Sequence, residues 1–189
     1  MKSRILEKSI ELFKLKGFDN VSIDEISAEC GVTKGSFYHY FNSKYRVVSE
    51  YFESLIKNDQ EVIRELILKD SVLDQLWMLV EHLVDCILAI GPELLGESLI
   101  ESIKHKELLM PVSEESNSIK LNNLFQIMVN LIEKGQRNGE IKNIIPADEV
   151  FMSYMLGFLG TTLYWSTSKS PKNNLKEMLK KSFDLNFKN

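Results

Sequence analysis

The sequence predicts an all-α protein of nine helices, with a small three-helix head at the N-terminus and a larger helical body after it. Three observations carry this expectation. Apolar residues recur at three- and four-residue intervals through most of the 189 residues, and strand-like alternation is almost absent. Helix-start and helix-stop signals punctuate the chain at short intervals. The composition is that of an ordinary folded protein, 44% hydrophobic and 26% charged, with only 9 Gly and 4 Pro.

Each element has its own signal. Residues 3–16 set Leu6, Ile10 and Phe13 on one face, with Ile5 and Leu12 alongside, and Lys14, Lys16 and Gly17 close the helix. Ser22-Ile23-Asp24-Glu25 has the S-x-x-E form of a capping box. In that box Ser22 accepts from the backbone N–H of Glu25, and the Glu25 carboxylate reaches back to the N–H of Ser22. Val21 and Ile26 form the hydrophobic staple across it. The helix ends near Cys30, where Gly31 supplies a positive φ. Thr33 caps a short helix through about residue 39. Asn42-Ser43 ends it and opens a long helix over residues 43–69, with Val47, Val48, Tyr51, Phe52, Leu55, Ile56, Val62, Ile63 and Leu66 as its apolar positions. Residues 71–90 form the next helix, stopped by Gly91, and Pro92 sits in the first turn of a helix reaching about residue 106. Pro111 stops that region. Ser113 caps a helix ending near Arg137, with Asn138-Gly139 as its C-terminal signal. Pro146 and Asp148 open a helix through about residue 166, and Ser170-Pro171 opens the last, to about residue 186.

Composition also excludes. No run of eighteen apolar residues is present, so no membrane helix is expected. The start, Met1-Lys2-Ser3-Arg4, leads into mixed residues without a signal-peptide core. Cys30 and Cys86 lie far apart among apolar neighbours and read as buried thiols in a reducing cytoplasm. The net charge of -4 is uneven. Residues 1–47 carry eight Lys/Arg against six Asp/Glu, and the remainder fifteen against twenty-one. A basic end on an acidic body suits a protein that touches a polyanion with one end.

The head has the spacing of a helix-turn-helix. Ser27 is the small residue where two helices cross, Gly31 is the turn, and Ile26, Cys30, Val32, Phe37 and Tyr40 take the inward positions. The helix from Thr33 to His39 would then be the recognition helix in the major groove. Gly17-Phe18, Val21-Ser22-Ile23-Asp24-Glu25-Ile26-Ser27, Gly31-Val32-Thr33-Lys34-Gly35-Ser36-Phe37-Tyr38-His39-Tyr40-Phe41 and Ser43-Lys44 together resemble the DNA-binding domain of the TetR family of bacterial transcriptional repressors. The resemblance covers about residues 3–50; the rest agrees only in helix number and length. Two positions depart from the family pattern. Ser27 stands where alanine is usual, and Tyr45-Arg46 follows Lys44 where an acidic residue is usual.

The resemblance implies a division into a DNA-binding domain, residues 1–47, and an effector-binding and dimerisation domain, residues 48–189. It implies that Ser22 offers its hydroxyl or N–H to a phosphate and that Thr33, Lys34 and Ser36 contact bases or phosphates. Gly35 would allow close approach to the groove. Tyr38 and Tyr40 would donate to phosphates, with His39 nearby, and Lys44 would clamp a phosphate. Such contacts mostly position the protein, and Lys34 is the expected base reader, its ammonium reaching guanine O6/N7. Tyr38 and Tyr40, at i and i+2, point to different sides, and Tyr40 fits the inward pattern better.

In the body, the resemblance implies that the last two helices pair with their mates in a homodimer. Leu156, Gly157, Gly160, Thr161 and Tyr164, with Leu159 and Leu163, would form one side, and Leu175, Met178, Leu179, Ser182 and Phe183 the other. The same residues would equally serve packing within one chain. Trp77, Val80, Leu83, Val84, Ile87, Phe125, Met128, Val129, Ile132, Phe151, Met155 and Phe158 are candidate pocket linings, since Met and aromatic side chains adapt to ligands. Glu81, His82, Asp85, Glu97, Glu101 and His105 are candidate polar handles, and acidic ones would suit a cationic lipophilic effector. No Gly-rich phosphate loop, metal-spaced His/Cys set or nucleophilic triad is readable, so neither catalysis nor a cofactor is expected. The expected function is a ligand-responsive homodimeric repressor, released from a palindromic operator by a small hydrophobic effector. The alternative is a DNA-binding regulator of the same fold controlled by a protein partner.

Overall fold

The computed structural model describes residues 1–56, 60–105, 119–167 and 174–188. The described residues form helices and no strand, in the order α1 (Lys2–Lys16), α2 (Ile23–Glu29), α3 (Lys34–Tyr40), α4 (Lys44–Ile56), α5 (Gln60–Ile67), α6 (Val72–Ile90), α7 (Pro92–His105), α8 (Ile119–Asn138), α9 (Ala147–Thr167) and α10 (Leu175–Phe187). Ten helices replace the expected nine because residues 43–69 hold two described helices, α4 and α5. In the sequence, five successive polar residues, Lys57 to Glu61, separate their apolar positions. The expected starts at Ser113 and Ser170-Pro171, and the stop at Pro111, lie outside the described residues. Within them α10 is capped by Asn174, whose side-chain oxygen accepts from the N–H of Lys176 at 3.1 Å.

The head forms because its local signals agree. Ser22 Oγ accepts from the N–H of Glu25 at 3.1 Å, and the N–H of Ser22 acts back on the Glu25 carboxylate, so the capping box closes both ways. Val21 and Ile26, the staple, are both buried. Ser27 keeps the crossing: it is buried, and its hydroxyl is satisfied by the carbonyl of Ile23 at 2.7 Å. Gly31 has φ +62°, and the N–H of Val32 closes the turn onto the carbonyl of Ser27 at 2.9 Å. Phe37 at the centre of α3 is fully buried beside Phe41, with ring centroids 5.8 Å apart. Truncating such a phenyl ring to Ala costs about 3–5 kcal/mol.

The helix α4 joins the head to the body. It packs on α1 on one side and on α6 and α7 on the other, and it crosses the expected boundary at residue 47 without a break. The buried apolar residues form one cluster from Ile5 to Phe187. In the body α6 is central, packed by α4, α5, α7, α8 and α10, while α9 lies against α7, α8 and α10. The connection after α8 is pinned to the start of α6. Glu140 Oε2 accepts from Ser71 Oγ at 2.9 Å and from the N–H of Val72 at 2.8 Å. Gly135 lets that connection close, because a Cβ there would stand 2.7 Å from Ile141 Cδ1.

Candidate nucleic-acid interface and effector cavity

Helix α3, the candidate recognition helix, is organised by its cap. Thr33 Oγ1 accepts from the N–H of Ser36 at 3.1 Å and lies 2.9 Å from Ser36 Oγ. The two hydroxyls are thus held at the mouth of α3, beside Lys34 and Gly35. A Cβ on Gly35 would meet only Thr33 Oγ1, at 3.7 Å, so the protein itself leaves that position free of crowding. Tyr38 is 50% exposed and His39 is exposed, while Tyr40 is half-buried against the core. The inward assignment of Tyr40 therefore holds, and Tyr38 is the phenol turned outward.

Several charged residues of the head are engaged in ion pairs. Lys34 Nζ lies 3.1 Å from Asp24 Oδ2. Lys16 bridges to Glu25; that hydrogen bond, together with the N–H of Ser22, holds the Glu25 carboxyl below its usual range against a smaller desolvation effect. Lys2 pairs with Glu50, and Arg46 reaches Glu50 at 3.5 Å and Glu53 at 3.6 Å. The basic start of α4 is therefore drawn along its own helix. Lys44 has a role the sequence did not reveal. Its ammonium donates to the carbonyls of Phe18 at 2.7 Å and Val21 at 2.9 Å, 4.5 Å above the Phe18 ring. It fastens the α1–α2 connection to α4, which leaves at most one of its three protons for a phosphate.

The body has a narrow cavity directly behind α4. Val48 and Phe52 of α4, Ile87 and Ile90 of α6, Leu95, Ser98 and Leu99 of α7, and Leu159 and Thr162 of α9 form its walls. The two hydroxyls do not make it polar, because Ser98 donates to the carbonyl of Leu94 at 2.7 Å and Thr162 to that of Phe158 at 2.8 Å. Its free space is small, about 20 Å³, enough for roughly one water-sized occupant. Ile87 is the one predicted lining residue on these walls. Val80, Leu83, Val84, Met128, Ile132, Phe151, Met155 and Phe158 are buried in the shared core, with Val129 partly buried against it. Phe125 packs on Phe151, their ring centroids 5.3 Å apart. Trp77 turns to α10, 5.4 Å from Phe183 and beneath the Lys180 ammonium. None of the candidate polar handles on described side chains reaches these walls. Glu81 pairs with Lys176, Glu101 with Lys104, and His82 Nε2 lies 3.8 Å from Cys86 Sγ. Asp85 is exposed, Glu97 is half-buried on α7, and the His105 side chain lies outside the described residues. Periodicity carries no signal for the walls of this cavity; small Ser98 and Thr162 on otherwise apolar faces are the available hint.

The proposed dimer residues divide into two groups. Leu156, Gly157, Gly160 and Tyr164 lie exposed on the outer face of α9 with Leu163, and Thr161 is half-buried beside them. Leu156 is 56% and Tyr164 58% exposed, a high fraction for large apolar side chains. A Cβ on Gly160 would meet nothing within 4 Å. Leu175 and Leu179, by contrast, are buried within the protomer together with Phe183, because α10 lays this stripe on α6 and α9. Met178 is half-buried. An exposed apolar face therefore remains on α9, while Leu175, Leu179 and Phe183 of α10 pack in the chain's own core.

Among the described residues no helix is long and apolar enough to cross a membrane, and no cluster of His, Cys, Asp and Glu is arranged to hold a metal.

Residues 5–51 match the family described as bacterial regulatory proteins, tetR family. A HTH-type transcriptional regulator of Bacillus subtilis, YerO, is 42% identical over 67 residues, 34% of this chain and 23% of that protein. The TetC protein of transposon Tn10 from Escherichia coli is 31% identical over 142 residues, 74% of this chain and 62% of its own. The matches thus span less than two thirds of the length of these relatives. The crystal structure of Thermus thermophilus FadR, a TetR-family transcriptional repressor in complex with lauroyl-CoA, superposes over 98% of this chain and 93% of that one, with a TM-score of 0.70 at 19% identity. At that identity the likeness shows the fold.

Proposed function

We propose that the chain, whose residues 5–51 match the family described as bacterial regulatory proteins, tetR family, is a DNA-binding regulator of that family and a homodimeric repressor released from a palindromic operator by a hydrophobic effector. The observation that carries the DNA-binding part is the recognition helix: α3 is capped by Thr33, seated on a fully buried Phe37, and presents Lys34, Gly35, Tyr38 and His39 outward. Ser22, Thr33, Ser36 and Tyr38 position the duplex through its phosphates, and Lys34 reads a base edge. Lys44 supports that face by fixing the connection before α2 and contributes a phosphate contact only with its remaining proton. Residues 1–47 act as the DNA-binding unit and residues 48–189 as the effector-binding and dimerisation unit, with α4 as the shared element. The outer face of α9 meets its mate across Leu156, Gly160 and Tyr164.

The effector reading follows from the cavity. Its walls are apolar and carry no carboxylate, which favours an alkyl or acyl chain over a cationic ligand. A lauroyl-CoA complex in a protein of this fold agrees with that class. A chain of such size greatly exceeds the space present, so its entry must part α4 from α6 and α7. That coupling is what an effector requires, since it has to bind the released state better than the DNA-bound one. The same small volume is the observation that favours the second reading, control by a protein partner without a small ligand. Operator anisotropy titrated with fatty acyl-CoA thioesters of increasing chain length distinguishes them. Release that grows with chain length supports the effector reading, and unchanged binding at saturating thioester contradicts it.

A further inference from the structure

We propose that Asp24 is a specificity-determining residue of the DNA face, acting through Lys34; the inference rests on the DNA-binding reading above. Asp24 lies in the first turn of α2, two residues after its cap Ser22, and Lys34 is the first residue of α3. The turn at Gly31 brings them together, with Asp24 Oδ2 3.1 Å from Lys34 Nζ.

This pair differs from the two other pairs that join one helix of the head to a neighbouring helix, those of Lys2 and Lys16. The acids that hold Lys2 and Lys16 are largely covered, with side chains 17% and 28% exposed, and they fasten one helix to another. Asp24 is 70% exposed and Lys34 53%. A pair so exposed contributes little to the fold, because water screens it. Its consequence lies in what it does to an approaching duplex. Any phosphate can take an ammonium from a carboxylate, but the displaced carboxylate is then left among phosphates, which repel it. A guanine edge offers O6 and N7, neutral acceptors that a lysine can reach while its carboxylate partner stays alongside. Asp24 thus withholds Lys34 from the backbone contacts that any sequence provides and leaves it available to the correct base. It raises the ratio of specific to non-specific binding by weakening the non-specific complex.

The test is a double-mutant cycle on the full chain: wild type, Asp24→Asn, Lys34→Gln and the double variant. Each is titrated by anisotropy against the operator duplex and a scrambled duplex over a range of salt. Asp24→Asn should tighten the scrambled complex about threefold to tenfold and steepen its salt slope by about one unit, with a smaller gain on the operator. The gain should fall below about twofold when Lys34 is Gln, and Asp24→Glu should restore the wild-type slope. An equal gain with and without Lys34 would mean that Asp24 acts only as bulk charge and would overturn the proposal. So would an unchanged scrambled complex in a wild-type background that binds its operator. Absence of salt-sensitive binding in all four proteins would instead refute the DNA-binding reading itself, and this inference with it. Thermal melts of each variant identify any loss of fold.

Discussion

At the scale of single residues, Lys44 shows how a contact seen only in three dimensions alters the expected result of a substitution. The resemblance placed a cation at the start of α4, and that much was legible. The carbonyls of Phe18 and Val21 that receive its protons were not, because they lie 26 and 23 residues away along the chain. Lys44→Ala should therefore lose stability as well as affinity, by about 1–3 kcal/mol in denaturant unfolding, since two partly buried carbonyls are left without their donor. A variant as stable as wild type would contradict that fastening role. Tyr38 gives the opposite pattern. Its ring is half exposed and its hydroxyl is free to point outward, so Tyr38→Phe should leave the melting temperature unchanged. Operator affinity should fall by roughly tenfold to a hundredfold through loss of one hydrogen bond from the phenol to a charged phosphate. The salt slope should not move, because no charge is removed. His39 and the Thr33–Ser36 cap were readable as types and positions, whereas the pairing of Asp24 with Lys34 depends on the turn between α2 and α3 and has no sequence signal of its own.

At the scale of elements, caps and stops fixed most helix boundaries in advance. Ser22 and Thr33 cap helices where their chemistry predicted, Pro92 opens α7, and Ser71 caps the helix expected over residues 71–90. What periodicity could not decide was which neighbour an apolar stripe meets. The stripe on α10 was expected to meet a mate, with packing in its own chain as the alternative, and Leu175, Leu179 and Phe183 are buried within the protomer. The outer face of α9 leaves Leu156 and Tyr164 exposed, and on that face Gly160 is a better probe of dimerisation than Gly157. A Cβ on Gly157 meets Ser182 at 3.9 Å, whereas Gly160 faces open space within the protomer. Gly160→Trp should preserve the far-ultraviolet circular dichroism spectrum and yield monomers in sedimentation, with operator affinity falling at least tenfold because the two heads are no longer linked. A variant that sediments as an intact dimer would remove α9 from the interface. The tie between Glu140 and the start of α6 has a pH signature. Desolvation pushes its carboxyl up, but hydrogen bonds from Ser71, Asn138 and the N–H groups of Leu73 and Val72 outweigh that and hold it below its usual range. A depressed folded value means that its stabilisation is present above about pH 4.3, the ordinary glutamate value, and is lost as pH falls through the folded one. The stability gap between wild type and Glu140→Gln should accordingly be constant near neutrality and narrow below about pH 4. A gap independent of pH would contradict the assignment.

At the scale of the whole molecule, the head was readable because a dozen positions are constrained together by one turn, one crossing and one groove. The body was not, because its cavity is a gap between residues that run from Val48 to Thr162 along the chain, and buried stripes of Val, Leu, Phe and Met look alike whether they face a gap or one another. The structure places that gap beside the joint between head and body. Lys14 of α1 donates to the carbonyl of Ala89 in the last turn of α6, 2.5 Å away, with the Tyr51 ring of α4 below its ammonium. Ala89 adjoins Ile90 of the cavity wall. Lys14→Met should leave operator affinity within about threefold of wild type, since the contact is exposed, while shifting the thioester concentration needed for release. An unchanged release curve would exclude this route between cavity and head. The most direct test of the central claim is fluorescence anisotropy of the purified protein with duplexes tiled from the DNA flanking its own gene, at two salt concentrations. Tight, salt-sensitive binding to one palindromic tile above all others is the predicted result, and absence of any preferred duplex, there and in a pool of genomic fragments, would contradict it.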